Sequence, residues 1–284
     1  MKDYSFTVVV PAHNRSDLMS NLFDTLDAAR IEFNGSIEVI VIDSSTEKEE
    51  LSIRKLCKSH NARYFRCTNR VTQKRNLGLR EARNDYIFFT DSDCEVMPDV
   101  FVRHAETYNA SNENVGGVLG LTVVCGNKAP IWKTLRFDRS FTTAFSFARW
   151  LKFSPWGTCT NLSFRKDVLL RAGGFDEKWP LVVYGEDVDL GIRINKSGYK
   201  IRCNPKAVVK HNYTSIRSVI QVLSKKFSTG RSDFHLGQKH PDRLALEYPS
   251  WVVVGLFLFA ILIFKGLIIK SLLPVTIGLF TFLI

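Results

Sequence analysis

The chain predicts an α/β fold with a mostly parallel central sheet, and two observations carry that expectation. Short apolar runs of strand character alternate with amphipathic helical patterns over the first hundred residues, the order that builds parallel strands joined by right-handed crossovers. Two of the runs end on carboxylates, Val41-Ile42-Asp43 and Phe89-Thr90-Asp91-Ser92-Asp93. Strands that stop this way put acids at the carboxyl edge of a sheet, where open α/β folds bind ligands.

Residues 6–10 read as a buried strand that Pro11 should stop. Ser16 can cap the next helix, whose Leu18, Leu22, Leu26 and Ala29 recur on one face. Residues 37–42 form the second strand, and Thr46 with Glu49 has the spacing of a capping box for the helix that follows. A short strand over 63–66, a helix over about 72–83 and a strand over 86–90 come next, and Pro98 suits the first turn of a further helix.

The rhythm then changes. Residues 115–124 are strand-like and Gly-rich, 130–151 are aromatic and helical in part, 160–164 read as a strand and 166–172 as a short helix before the turn Gly173-Gly174-Phe175-Asp176. A helix from Glu186 closes at Gly198, a left-handed C-cap, and strands are expected near 199–203 and 207–210.

With 284 residues, 45% hydrophobic and 24% charged, the chain can bury a full core. Its net charge of +11 is concentrated in 193–243, where twelve Lys or Arg face only Asp233 and Asp242. A nucleic-acid-binding protein would spread such charge or pair it with an aromatic recognition motif, so no nucleic-acid partner is expected. The sequence that follows explains the charge better. Residues 251–264 carry no charged or polar residue, and apolar character continues past Lys265 and Lys270 to Ile284. Fourteen residues are short of the roughly 20 a spanning helix needs, whereas the whole tail, at about 1.5 Å per residue, is too long for one span.

Residues 249–284 are therefore expected to form a transmembrane or membrane-hairpin segment that the natural chain continues past Ile284. Residues 211–248 are its basic membrane-proximal neighbour, and 1–210 the catalytic domain. Lys and Arg beside an apolar segment favour the cytoplasmic side, where anionic lipid attracts them, so the expected location is the cell membrane with the catalytic domain on the cytoplasmic leaflet. The first apolar run is too short for a secretory leader. Six cysteines without a Cys-x-x-Cys pair read as reduced thiols.

Each acidic motif has a chemical and a plain structural use. Asp91 and Asp93, spaced Asp-x-Asp, suit a hard divalent cation and hence a diphosphate, or they cap the next helix. Asp43 can accept a hydrogen bond from a base or ribose, or form an Asx-turn toward Thr46. Glu186 and Asp187 at a helix N-terminus are stabilised by its dipole, and either can serve as a general base for a hydroxyl nucleophile. Asp189 is placed to pair with Arg193. His211 is a packing histidine or completes a Mn2+ or Mg2+ shell. Arg75, in Gln73-Lys74-Arg75-Asn76, can pair with a diphosphate or lie on a solvated helix face.

Taken together, these residues resemble family 2 glycosyltransferases of the GT-A fold over most of 6–243. The matching pieces are Val8-Val9-Val10-Pro11-Ala12-His13-Asn14-Arg15, Val41-Ile42-Asp43, Arg75-Asn76-Leu77-Gly78 and Phe89-Thr90-Asp91-Ser92-Asp93. They continue with Asn161-Leu162-Ser163-Phe164-Arg165, Gly173-Gly174-Phe175-Asp176-Glu177 and Gly185-Glu186-Asp187-Val188-Asp189-Leu190.

The resemblance implies a UDP- or GDP-type nucleotide-sugar donor held around Pro11, Asn14, Asp43, Arg75, Asp91, Ser92 and Asp93. Pro11 and Asp43 would border the base and Asp91 the nucleoside. A Mn2+ or Mg2+ cofactor would lie on Asp93, Asp91 and His211. It further implies Asp187 as the base of an inverting displacement, and Trp156, Asn161 and Glu186 on the side of a glycan or lipid-linked acceptor. Two departures stand out. Asp43 is followed by Ser44-Ser45 where relatives often have Gly-Ser, and the Gln-x-x-Arg-Trp signature of processive polysaccharide synthases is missing, so transfer of one or a few sugars is expected. A sugar nucleotidyltransferase would share the sheet and the metal but normally carries a Gly-rich Arg-Lys loop where this chain has Pro11-Ala12-His13-Asn14-Arg15. A non-enzymatic lipid- or nucleic-acid-binding module would rest on the basic stretch alone.

Overall fold

In the first half, elements alternate as the hydrophobic pattern requires: β1 (Ser5–Ala12), α1 (Ser16–Glu32), β2 (Ser36–Asp43), α2 (Glu47–Ser59), β3 (Arg63–Arg66), α3 (Val71–Glu81) and β4 (Tyr86–Phe89). Then come β5 (Cys94–Val96), α4 (Val100–Asn109), β6 (Val115–Cys125), α5 (Pro130–Leu135), α6 (Arg139–Trp150), β7 (Phe153–Ser154) and β8 (Leu162–Arg165). The series ends with α7 (Lys166–Arg171), α8 (Glu186–Lys196), β9 (Lys200–Asn212) and α9 (Val219–Lys239). This is a computed structural model, and it describes residues 4–110, 114–135, 139–180, 184–214, 217–243, 255 and 257–264.

Among the described residues, nine strands form one sheet in the order β3-β2-β1-β4-β8-β6-β9-β5, with β7 beside β9. Strands β1 to β4 are mutually parallel, so β1, β2 and β4 end on one edge. Beyond them β8 runs antiparallel to both β4 and β6, and β9 is parallel to β6 but antiparallel to β5. The period-2 alternation of buried strands separates two cores. Phe6, Val8, Val10, Val39 and Val41 meet Leu22, Phe23 and Phe101 on one face. Val9, Ile40, Ile42 and Phe89 meet Leu79, Leu169, Leu190 and Ile194 on the other. Each fully buried Val, Leu, Ile or Phe contributes about 1.5–3 kcal/mol relative to exposure, which holds the sheet edge rigid between two helical layers.

Several local expectations are corrected. Pro11 does not stop β1: Pro11 pairs with Ile42 and Ala12 with Asp43. Val9 O accepts from Thr90 on the β4 side and Ala12 O from Ser44 on the β2 side. By alternation the ring nitrogen of Pro11 therefore faces the side where β4 has already ended, and its missing N–H costs no ladder bond. Met19, not Leu18, joins the buried face of α1. Thr46 makes no side-chain cap; Glu49 instead accepts from the backbone N–H of Ser16, so α2 caps α1. Pro98 lies just before α4, whose N-cap is Asp99. The two strands expected over 199–210 are one 13-residue strand, β9, with a register irregularity opposite Gly120 and Leu121. Strands β5 and β7, of three and two residues, are too short to show a period.

The chain divides into two compact units, Met1–Leu236 and Gly237–Ile284. In the second, described residues 257–264 are helical and expose Phe257, Leu258 and Phe264. Among the described residues no helix is long and apolar enough to cross a membrane. The remainder of the expected membrane segment, 249–284, lies outside the described residues. All six cysteines are free thiols.

Candidate active site

The shared edge of β1, β2 and β4 is furnished from below by α3. Lys74 Nζ donates to Ala12 O at 2.7 Å and to Asn69 Oδ1 at 3.3 Å; burial lowers its pKa to about 8, partly offset by Asp43. Arg75 is buried as well. Its Nη1 lies 2.7 Å from Glu186 Oε1, its Nη2 3.7 Å from Asp91 Oδ1, and its guanidinium stacks 5.3 Å from the Phe175 ring centre. One guanidinium thus joins the two acidic clusters.

The turn Asp91-Ser92-Asp93 links β4 to β5, and Ser92 is buried within it. Asp93 Oδ1 lies 3.2 Å from His211 Nε2, and Oδ2 lies 3.3 Å from Arg15 Nη1. The register that places Cys94 opposite His211 brings the histidine there. Burial acts to raise the Asp93 pKa, but His211 and Arg15 outweigh it and the carboxyl is lowered. Asp91 is raised by burial, with Arg75 opposing and Asp93 adding to the rise.

Asp93, Cys94 and His211 offer donor atoms within 4.8 Å of one another, and His211 Nδ1 is a buried nitrogen without a partner. Burial holds the Cys94 thiol well above its ordinary range, so it offers no thiolate. Asp93 and His211 remain of that group, a carboxylate and an imidazole that suit Mn2+ or Mg2+; Asp91, expected beside them, is not part of it and faces Arg75 instead.

Across the edge, the N-cap of α8 is Gly185 in the left-handed region (φ 99°). A Cβ here would collide with Ser232 Oγ and the Trp179 ring, so glycine lets α8 begin close against α9. This start puts Glu186 and Asp187 in the first turn. Glu186, 5% exposed, receives Arg75, and its Oε2 is buried without a partner. Asp187 Oδ1 accepts from the Val188 N–H at 2.9 Å. Burial, reinforced by Glu186 and opposed by Arg75, raises the Asp187 pKa to about 7. Asp189 pairs with Arg193 at 3.0 Å, as its spacing requires.

At the far end, Pro11 is half-buried. Asn14 adopts the left-handed region (φ 51°); its N–H donates to Ser45 Oγ at 2.7 Å and its Oδ1 accepts from Thr46 N at 2.9 Å. Asn14 therefore ties the loop after β1 to the loop after β2. Asp43 is fully buried and accepts from Ser45 N (2.9 Å), Ser45 Oγ, Tyr64 OH (2.9 Å) and Arg66 (3.4 Å). The Asx-turn is real, and Ser45 supplies two of its donors. The oxygens of Asp43 are used in ordering this edge.

On the expected acceptor side, Trp156 is half-buried, edge-on to Phe147 at 5.2 Å, with its backbone seated against Gly191 of α8. Asn161 requires a correction: it is 0% exposed and belongs to the core. Its Nδ2 donates to Leu121 O and Ala207 O, both at 3.0 Å, and its Oδ1 meets His104 Nε2 at 3.1 Å. His104 Nδ1 in turn meets Ser163 Oγ at 2.7 Å, and Ser163 meets Tyr108 OH at 3.1 Å. Because Asn161 Oδ1 can only accept, protons run from Tyr108 through Ser163 and His104 to Asn161. Of these four residues Asn161 alone spans the β9 irregularity, bonding Leu121 O on β6 and Ala207 O on β9, which a polar residue at the head of a strand does not signal. Sequence reasoning also missed Lys74 and Arg15, although each sits inside a motif it had quoted.

Parallel strands ending on acids, a mixed sheet beyond them, and a helix whose first-turn Glu186 meets the same arginine as Asp91 define a GT-A-type glycosyltransferase. Residues 7–170 match the family described as Glycosyl transferase family 2, and the chain belongs to that family. It is 24% identical over 236 residues to the O-antigen biosynthesis protein RfbC of Myxococcus xanthus, covering 74% of this chain and 17% of RfbC. It is 25% identical over 304 residues to the uncharacterized glycosyltransferase YfnE of Bacillus subtilis (strain 168), covering 83% and 74%. The mannosyltransferase PcManGT from Pyrobaculum calidifontis, solved in complex with GDP-Man and Mn2+, shares the fold with a TM-score of 0.54 at 19% identity, over 81% of this chain and 65% of that one. The chain thus spans under a fifth of RfbC.

Proposed function

We propose that this chain moves a sugar, with inversion, from a nucleotide-diphosphate sugar to an acceptor hydroxyl, one or a few residues at a time. The observation that carries the reading is Arg75, which holds Glu186 at 2.7 Å and Asp91 at 3.7 Å and so joins a base-bearing helix to an acidic strand end. The GDP-Man and Mn2+ of PcManGT support a donor of that type and a divalent metal.

Asp93 and His211 would hold the cation. When bound, it supplies Lewis-acid neutralisation of the leaving diphosphate. Asp187, with a pKa of about 7, takes the acceptor hydroxyl proton near neutral pH. The acceptor oxygen bonds to the anomeric carbon from the face opposite the diphosphate, the carbon–oxygen bond to the diphosphate breaks, and its electron pair leaves with the nucleotide. Pro11 and Asn14 border the nucleotide, with Asp43 and Ser92 ordering the loops around it. Glu186 and Trp156 flank the acceptor.

Residues of α9 support association with an anionic membrane surface, and hence a glycan or lipid-linked acceptor at the cytoplasmic leaflet. Val219, Ile220, Leu223, Phe227 and Phe234 are exposed and at 3.6 residues per turn fall in one arc of about 100°, with Lys226 and Arg231 at its borders. The opposite face packs inward, with Lys225 over the Tyr184 and Tyr213 rings and Ser232 donating to Tyr184 O. An apolar stripe edged by cations suits a helix lying in the headgroup plane. A Gly230→Cys variant carrying an environment-sensitive dye tests it, since a Cβ there meets nothing within 4 Å. The dye should shift blue on anionic vesicles; an unchanged spectrum removes α9 from the bilayer.

The donor is tested by thermal shift with GDP-, UDP- and dTDP-sugars in the presence of Mn2+, because a ligand of the native state raises the melting point by mass action. At least one should stabilise the protein. No shift with any of them, at concentrations that saturate related enzymes, contradicts the donor assignment.

A further inference from the structure

Beside His211 lies a cavity of about 400 Å³ between the end of β6 and helices α5 and α6. None of the roles assigned above uses it. Among the described residues its walls combine the Trp132 and Phe145 rings with Asn127, Thr142, Ser146 and one cation, Arg149. No carboxylate is among the described residues that line it.

Two connections tie it to the reacting edge. Phe145 stands edge-on to the His211 ring at 5.6 Å. Thr122, on the cavity wall, lies 2.9 Å from the Thr160 hydroxyl, and Thr160 O accepts from Thr90, the neighbour of Asp91, at 3.0 Å. The adjoining strand end carries three buried polar atoms without a partner: His211 Nδ1, Asn212 Oδ1 and the Tyr213 hydroxyl. The Tyr213 ring packs on Trp132 at 5.2 Å and Phe145 at 6.2 Å, and Asn212 Oδ1 abuts the lining residue Gly126. Buried polar groups left unsatisfied are few in folded proteins, and Asn212 Oδ1 and the Tyr213 hydroxyl, which no role above uses, lie directly behind the cavity wall.

We propose that this cavity is an acceptor subsite for a sugar ring bearing an anionic group, phosphate or carboxylate, an inference that rests on the glycosyltransferase reading above. A pyranose shows C–H faces to aromatic rings and hydroxyls to amide and hydroxyl walls, the mixed lining that fixes small polar ligands. The volume falls in the range of ligand sites, roughly 300–1,000 Å³. Arg149, exposed at the mouth and with no acidic neighbour among the described lining residues, can fork onto phosphate or carboxylate oxygens, a pairing that a neutral glycan does not offer.

The test uses the full chain with GDP or UDP present to fill the donor site, and saturation-transfer NMR with three probes: glucose 6-phosphate, methyl β-glucuronide and methyl β-glucoside. At least one anionic probe should bind about tenfold more tightly than the neutral one, a difference of about 1.4 kcal/mol, and which one binds separates phosphate from carboxylate. Arg149→Gln should erase that preference and leave the weak glucoside signal. Ser146→Trp, which fills the cavity, should remove all three signals. Equal binding of neutral and anionic probes, an anionic preference that survives Arg149→Gln, or no anionic binding at tens of millimolar overturns the proposal. Nucleotide binding in the same samples is read separately, so loss of the donor site and loss of the cavity assignment are distinguishable.

Discussion

Arg75 Nη1 sits 2.7 Å from Glu186 Oε1 across 111 residues of sequence, and both side chains are buried. The pair fastens the N-terminus of α8, with Asp187, to α3 beneath the edge where β1, β2 and β4 end. Removing one partner from a buried ion pair strands the other charge, at a cost of about 3–5 kcal/mol. Arg75→Met should therefore lower unfolding stability by that order, measured in denaturant. The double variant Arg75→Met with Glu186→Leu should recover most of the stability and none of the transfer. Full activity in the double variant would reduce the pair to a packing feature.

The metal set makes a separate prediction. Chelation with EDTA should stop transfer, and Mn2+ or Mg2+ should restore it. His211→Ala should raise the half-saturating Mn2+ concentration about tenfold, roughly 1.4 kcal/mol of binding. Undiminished turnover in chelator would contradict the metal assignment.

The Tyr108–Ser163–His104–Asn161 chain predicts a pH effect on stability alone. Burial, partly countered by Asn161, lowers the His104 pKa from an ordinary 6.5 to about 4. Between those values the unfolded chain binds a proton that the folded protein does not. The neutral imidazole's contribution is thus complete above about pH 6.5 and is lost as pH falls toward 4, a change on the order of 3 kcal/mol. The stability gap between the parent and His104→Gln should narrow across this window in denaturant titrations. A constant gap would mean that His104 is protonated inside the fold.

Much of this architecture was legible in the residues, for identifiable reasons. Strands β1, β2 and β4 announce themselves because both faces are buried and their runs are nearly unbroken. Asp91, Asp93 and Asp187 stand at strand or helix ends, where local pattern alone places them. What escaped notice depends on partners distant in the chain. Glu49 looks like a cap for its own helix and serves α1 instead. Asn161 opens a strand and looks available, yet the register irregularity in β9 draws it into the core. The cavity beside His211 is assembled by β6, α5 and α6 together, and no single segment signals it.

Asp187 tests the central claim most directly. Its pKa of about 7 requires transfer to rise with pH through neutrality, falling about tenfold per unit below it, because only the deprotonated carboxylate accepts the hydroxyl proton. The decisive measurement compares Asp187→Asn with the parent, reading donor affinity by calorimetry and transfer by product formation. Donor affinity should stay nearly unchanged while transfer drops by at least about a hundredfold. Retained transfer, or loss of donor affinity in step with loss of transfer, would remove Asp187 from the role of base.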